Sequence, residues 1–218
     1  MTIFVDDKLG SVSALWDQSA DPKYSLLFAH GAGAGMTHKF MEDLAHAISK
    51  RHGHVLRFNF TYMEQGRKAP SSPKSAQHTI VAALNHLRMQ NLGLPIFLSG
   101  KSYGGRMSSH VVAEHRAESA SGLIYFGFPL HAPGRDGKDR AAHLSSIALP
   151  QLFIQGTNDK LANYEMMQEV VSDQQNGTME TIEEADHGFK VPKRTGHSYE
   201  SIIDLIASKT DEWACRQI

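Results

Sequence analysis

Six short apolar runs punctuate this chain, and most are separated by longer stretches with helical spacing. The runs are Tyr24–Ala29, His54–Phe60, Ile96–Ser99, Gly122–Phe128, Gln151–Gln155 and Thr178–Ile182. Within them Leu26-Leu27-Phe28, Ile96-Phe97-Leu98 and Leu152-Phe153-Ile154 are continuously apolar rather than alternating. Strands buried on both faces have this composition, because helices cover both sides of their sheet. Ile3–Val5 and Val12–Trp16 predict an antiparallel edge hairpin across Asp6–Gly10.

Helices are predicted near Thr37–Arg51, Lys74–Gln90, Gly104–Glu118, Leu161–Ser172 and Ser198–Arg216. Ile80, Ala83, Leu84 and Leu87 form one apolar stripe on the second. Ile202, Ile203, Leu205, Ile206 and Trp213 give the last a docking face. Strand–helix–strand repeats force right-handed crossovers, so the expected architecture is a doubly wound, mostly parallel sheet with helices on both faces. In such a sheet the chemistry collects at the C-terminal ends of the strands. No repeat, low-complexity tract or linker divides the sequence, and its 218 residues fit one domain spanning 1–218.

Composition narrows the function. Hydrophobic residues make up 41% and charged residues 21%, with a formal net charge of -1, so nothing points to a nucleic-acid or membrane partner. A single cysteine, Cys215, rules out an intramolecular disulfide, and Met1–Leu15 holds no apolar run suited to a signal peptide. The expected setting is the cytoplasm.

The strongest chemical signal follows the third run. Gly100-Lys101-Ser102-Tyr103-Gly104 is G-x-S-x-G between a strand and a helix. Composition alone yields that pattern by accident on the order of one time in ten in a chain this long. The flanking elements therefore carry the inference. A turn this tight strains its central residue, and glycines two positions either side remove the clashes. Ser102 is thus the candidate nucleophile, with the positive end of the following helix beneath it. A phosphate-binding loop would need glycine at position 95, which is Pro95.

The first long strand ends in His30-Gly31-Ala32-Gly33-Ala34-Gly35. Small residues allow backbone N–H groups to approach a substrate and stabilise a negative oxygen. The two expected donors are Ala32, with Gly31 and Gly33 as close alternatives, and Tyr103, the residue after the nucleophile. His30 is expected to brace this loop by hydrogen bonds. A dinucleotide loop would require glycine where Met36 stands.

Nucleophile, acid and base follow one another in that chain order in this arrangement. Asp159 falls just after Gln151–Gln155, and His187 falls in the loop after Thr178–Ile182. His187 would accept the Ser102 proton while Asp159 fixes the imidazole tautomer. Asp186 and Asp136 are the competing acids. At an ordinary histidine pKa near 6.5, activity should rise through roughly pH 6 to 7. Of the other histidines, His110 and His115 miss the spacing of a zinc helix. His38, His46, His52, His54, His78 and His86 are read as solvated. No metal or cofactor is called for.

With these residues placed, the chain resembles compact, lidless α/β-hydrolases akin to the dienelactone hydrolases. The branch in question includes hydrolase-like domains of testis-expressed and chromatin-complex proteins. The resemblance rests on 27–36, Arg57–Glu64, Gly100–Arg106, Phe128–Gly134, Gln155–Asp159 and Ala185–Lys190. It departs at Thr61, where proline is expected, and at Tyr103, where methionine is common. Dienelactone hydrolase itself uses a cysteine nucleophile, so Ser102 implies no lactone substrate. The resemblance implies an α/β-hydrolase fold and flags Arg57, Tyr62, Met63, Arg106 and His131 as neighbours of the site. The segment Pro129–Leu149 is too short for a large cap domain, so an open site for small or flexible acyl groups is expected. The expected partner is a small-molecule acyl substrate, cleaved as an ester or thioester. Amide cleavage, perhydrolysis and a non-catalytic binding or scaffold module stay open.

Overall fold

A computed structural model describes every residue except Ser71, Asn91 and Pro133. Pro133 belongs to the Phe128–Gly134 stretch quoted above and to the segment judged too short for a cap, and it lies outside the described residues.

The N-terminal hairpin forms from β1 (Thr2–Asp6) and β2 (Gly10–Asp17). Then come β3 (Tyr24–Ala29), α1 (Lys39–Ser49), β4 (Gly53–Phe58), a single turn α2 (Thr61–Glu64) and α3 (Pro73–Met89). β5 (Ile96–Lys101), α4 (Tyr103–Ala113) and β6 (Ala120–Phe126) form the centre. β7 (Gln151–Gly156), α5 (Tyr164–Ser172), β8 (Gly177–Ile182) and α6 (Tyr199–Cys215) complete the chain. The eight strands run in the order β1-β2-β4-β3-β5-β6-β7-β8. β1, β2 and β4 pair antiparallel, and every pairing from β4 through β8 is parallel.

The continuously apolar strands serve two cores. On β3, Leu27 and Ala29 join the layer that receives Ile80 and Leu84 of α3 and Met107 and Val111 of α4. Leu26 and Phe28 point the opposite way, toward Phe40 and Leu44 of α1 and Ile206 and Trp213 of α6. Phe97 of β5 meets Tyr24 and Trp213 edge-on at 5.8 and 5.6 Å. Truncating a ring so enclosed removes about 3–5 kcal/mol of stability.

Several predicted elements end early, β6 at Phe126 and α1 at Ser49 among them, and β4 and α4 show the cause. β4 stops at Phe58: the Asn59 N–H still reaches Ser13 O at 3.0 Å, but the Phe60 N–H leaves the sheet for His30 Nε2 at 3.0 Å. α4 stops at Ala113 rather than Glu118. There Arg116 N–H bonds Val111 O and His115 N–H bonds Val112 O, with His115 in the left-handed region at φ 56°. That closure returns the chain to the sheet edge. His54, read as solvated, is a buried β4 residue whose Nδ1 accepts the Ser19 N–H at 3.0 Å. The β6–β7 connection holds only two single-turn 3₁₀ segments among its described residues, so no cap domain covers the strand ends. No described helix is long and apolar enough to cross a membrane.

Candidate active site

The β5–α4 turn forces Ser102 to φ 50° and ψ -111°, a conformation that L side chains rarely adopt. Packing enforces it. A Cβ on Gly100 would lie 2.2 Å from Gly105 N, and one on Gly104 would lie 2.3 Å from Ala29 O. Ser102 N–H donates to Phe126 O at 3.1 Å, tying the turn to the next strand. The Ser102 side chain therefore projects beyond the C-terminal edge of the sheet.

Two further strand ends deliver a carboxylate and an imidazole to it. Asp159, buried after β7, accepts from Gln155 Nε2 at 2.6 Å and from Leu161 N–H at 2.8 Å. Its Oδ2 also lies 2.7 Å from His187 Nδ1, and His187 Nε2 lies 2.8 Å from Ser102 Oγ. An ionised carboxylate only accepts, so Nδ1 carries the hydrogen and Nε2 accepts from the Ser102 hydroxyl. Burial pulls the His187 pKa below its ordinary value, Lys101 reinforces the shift and Asp159 opposes it.

The competing acids are occupied elsewhere. Asp186 Oδ1 accepts the N–H groups of Gly188 and Lys190, which shapes the His187 loop. Asp136 is exposed, 3.8 Å from His131.

The loop after β3 presents its backbone to the same place. His30 is fully buried; its Nε2 accepts the Phe60 N–H at 3.0 Å and its Nδ1 lies 2.8 Å from Gly31 O. The ring is therefore neutral, with the hydrogen on Nδ1, and burial lowers its pKa to about 4. Tyr62 OH approaches the same carbonyl at 3.5 Å. A trans peptide points its N–H opposite its C=O. Fixing Gly31 O thus fixes the direction of the Ala32 N–H. Among the described residues, neither Ala32 nor Tyr103 gives its N–H to a backbone acceptor.

These groups open onto a cavity of about 900 Å³. Its lining includes Phe40, Met41, Leu161, Phe189, Val191 and Ile202 together with Gly31, Ala32, Ser102 and His187. The other flagged residues lie outside it. Met63 packs at Gly35, where its Cε would stand 3.3 Å from an added Cβ. Arg57 is held by Asp17 at 2.7 and 3.1 Å and by Met36 O at 2.9 Å, a closed internal ion pair. Arg106 lines a separate cavity with Lys74, His110 and Arg116. His131 Nε2 accepts the Asn163 N–H at 3.2 Å ahead of α5.

Sequence reasoning gave no site role to Lys101, Phe40 or Phe189 and read His38 as solvated, yet all four line the cavity. Lys101 was visible inside the serine motif; the others come together only in three dimensions. His52, Asp211 and Cys215 bring potential metal-ligating atoms within 4.8 Å of one another. There Asp211 already accepts from Tyr24 OH and His52 N–H, both at 3.1 Å, and its other oxygen lies 2.9 Å from His52 Nδ1. Those bonds fasten α6 to the loop before β4.

Comparison with known proteins agrees with this architecture. Est1E from Butyrivibrio proteoclasticus, solved with ferulic acid, is similar over 100% of this chain and 98% of its own, at 15% identity and a TM-score of 0.75. A lidless α/β serine hydrolase from Xanthomonas campestris matches over 100% and 93%, at 19% identity and a TM-score of 0.73. A dienelactone hydrolase from Anabaena variabilis matches over 99% and 95%, at 17% identity and a TM-score of 0.77. At these identities the likeness speaks for the fold. The family model described as "Alpha/beta hydrolase domain" matches residues 22–215, and the chain belongs to that family.

Proposed function

We propose that the protein is a serine hydrolase that cleaves a carboxylic ester or thioester through an acyl-Ser102 intermediate. The observation that carries this reading is the continuous hydrogen-bonded line from Asp159 through His187 to Ser102, with spacings of 2.7 and 2.8 Å. It ends on a serine held in a strained turn that faces a cavity.

In the first half-reaction Ser102 Oγ bonds to the acyl carbon while His187 Nε2 takes the hydroxyl proton. Asp159 stabilises the resulting imidazolium. The N–H groups of Ala32 and Tyr103 receive the negative oxygen of the tetrahedral intermediate. Its collapse breaks the bond to the leaving alcohol or thiol, which departs with the proton from His187. Water then attacks the acyl-enzyme, again giving its proton to His187, and the acid is released as Ser102 regains its hydrogen. His30 and Tyr62 act here as positioning residues, through the carbonyl of the peptide that carries the Ala32 N–H. Because nothing described caps the cavity, small or flexible acyl groups enter directly.

Stopped-flow hydrolysis of p-nitrophenyl acetate and butyrate tests the scheme. Wild-type protein should release a burst of p-nitrophenol close to one equivalent, followed by a slower steady state, and Ser102→Ala should show neither. Folded wild-type protein without turnover on any ester or thioester of a chain-length panel would instead favour a binding module.

A further inference from the structure

Lys101 occupies an unusual position for a cation. Its stem leaves the serine turn beside Gly31, where an added Cβ would meet Lys101 Cγ at 3.6 Å. The ammonium ends 2.5 Å from His187 O, over the rings of Phe189 at 5.2 Å and Phe40 at 5.9 Å. An ammonium carries three donors, and the His187 carbonyl uses one. Asp159 and Asp186 act on it only through their charge, without a hydrogen bond, and burial pulls its pKa down to about 8. A brace for a backbone carbonyl needs no charge, whereas a half-buried cation with no hydrogen-bonded anion loses part of its hydration without compensation.

The surroundings have the same sign. Lys39, Lys190, His38 and His197 also line the cavity, and no Asp or Glu does so among the described residues. Lys39 is already paired with Asp43 at 2.7 Å. Lys101 is thus the cation set among the apolar walls beside Ser102.

We propose that the cavity takes esters or thioesters whose acyl chain ends in a carboxylate, and that Lys101 receives this carboxylate as a specificity-determining residue. This rests on the serine-hydrolase reading above. The Ala32 and Tyr103 N–H groups hold the scissile carbonyl, and the ammonium holds the distal acid. The aromatic and aliphatic walls take the methylenes between them.

The test compares mono-p-nitrophenyl esters of glutaric, adipic and pimelic acid with p-nitrophenyl esters of pentanoic, hexanoic and heptanoic acid. Wild-type kcat/KM for the best diacid monoester should exceed that of its neutral counterpart by about tenfold or more, the scale of one charge-assisted hydrogen bond. In Lys101→Met that ratio should fall by a similar factor, chiefly through KM. Because Lys101 also holds the His187 loop, the ratio is decisive and the absolute rates are not. A wild type without preference for the diacid esters, or a ratio unchanged in Lys101→Met, overturns the proposal. Fluorophosphonate labelling of the same preparations separates the two levels. Labelling at Ser102 without charge preference overturns the substrate class alone, and folded wild type that does not label overturns the hydrolase reading with it.

Discussion

His30 and His187 stand at two strand ends of one sheet, each engaged at both ring nitrogens, yet their surroundings make them opposite devices. His30 follows β3 and is sealed from solvent, with Nε2 spent on the Phe60 N–H and Nδ1 on Gly31 O. His187 follows β8 and lines the cavity, with Nδ1 on Asp159 and Nε2 on Ser102. Burial lowers both pKa values. Only His187 has a carboxylate to stabilise its cation, and only its Nε2 meets a group with a proton to give. A histidine becomes a base through the partner behind it and the access in front of it; burial alone produces a brace.

The sharpest way to break this contrast is at His187. His187→Ala should lower kcat for ester hydrolysis by on the order of 10⁴-fold or more, with the circular dichroism spectrum and unfolding midpoint close to wild type. Asp159→Asn should cost about 10³- to 10⁴-fold in kcat, because the amide reverses the hydrogen-bond demand on Nδ1. An Asp159→Asn enzyme of normal activity would dissolve the distinction between the two histidines. His30→Ala should act differently, lowering kcat about 10- to 100-fold by loosening the peptide that carries the Ala32 N–H. It should also lower stability, measured by urea unfolding, by about 1–3 kcal/mol, since the buried Phe60 N–H loses its acceptor.

The two histidines also separate by pH. His187 must be neutral to accept a proton, and its pKa lies below the ordinary 6.5. The acid limb of kcat/KM should therefore fall below pH 6.5, and Lys101→Met, which removes a cation that lowers this pKa, should move the limb upward. His30 affects stability instead. Its folded pKa of about 4 lies below its unfolded value, so the unfolded chain binds the proton more readily. Its contribution is complete above pH 6.5 and is lost as pH falls toward 4. Between pH 7 and pH 5 the loss is on the order of 2 kcal/mol, and comparing urea midpoints of wild type and His30→Gln isolates it.

Much of this arrangement is legible in the sequence, because strand ends are where a parallel sheet gathers its loops. Gly100 and Gly104 mark a turn that tolerates no Cβ, and Asp159 and His187 each fall in the loop after a predicted strand. The bracing role of His30 is readable for the same reason. Other features are set by tertiary packing and leave no local trace. Phe40 of α1 and Phe189 of the His187 loop stack at 5.6 Å to wall the cavity, although 149 positions separate them (189 − 40). The early ends of β4 and α4 depend on the Phe60 N–H bonding His30 and on a left-handed His115, which periodicity does not register. Arg106 lies close to Ser102 in sequence and His131 follows the end of β6, yet one faces another cavity and the other braces the start of α5.

The central claim is that Ser102 is a nucleophile activated by His187, and covalent trapping tests it most directly. After treatment with a fluorophosphonate, intact-mass and peptide mass spectrometry should find one adduct per chain, located on Ser102. The adduct should be absent in Ser102→Ala and strongly slowed in His187→Ala. A folded wild-type protein that stays unmodified, or an adduct located on another residue, would contradict the claim.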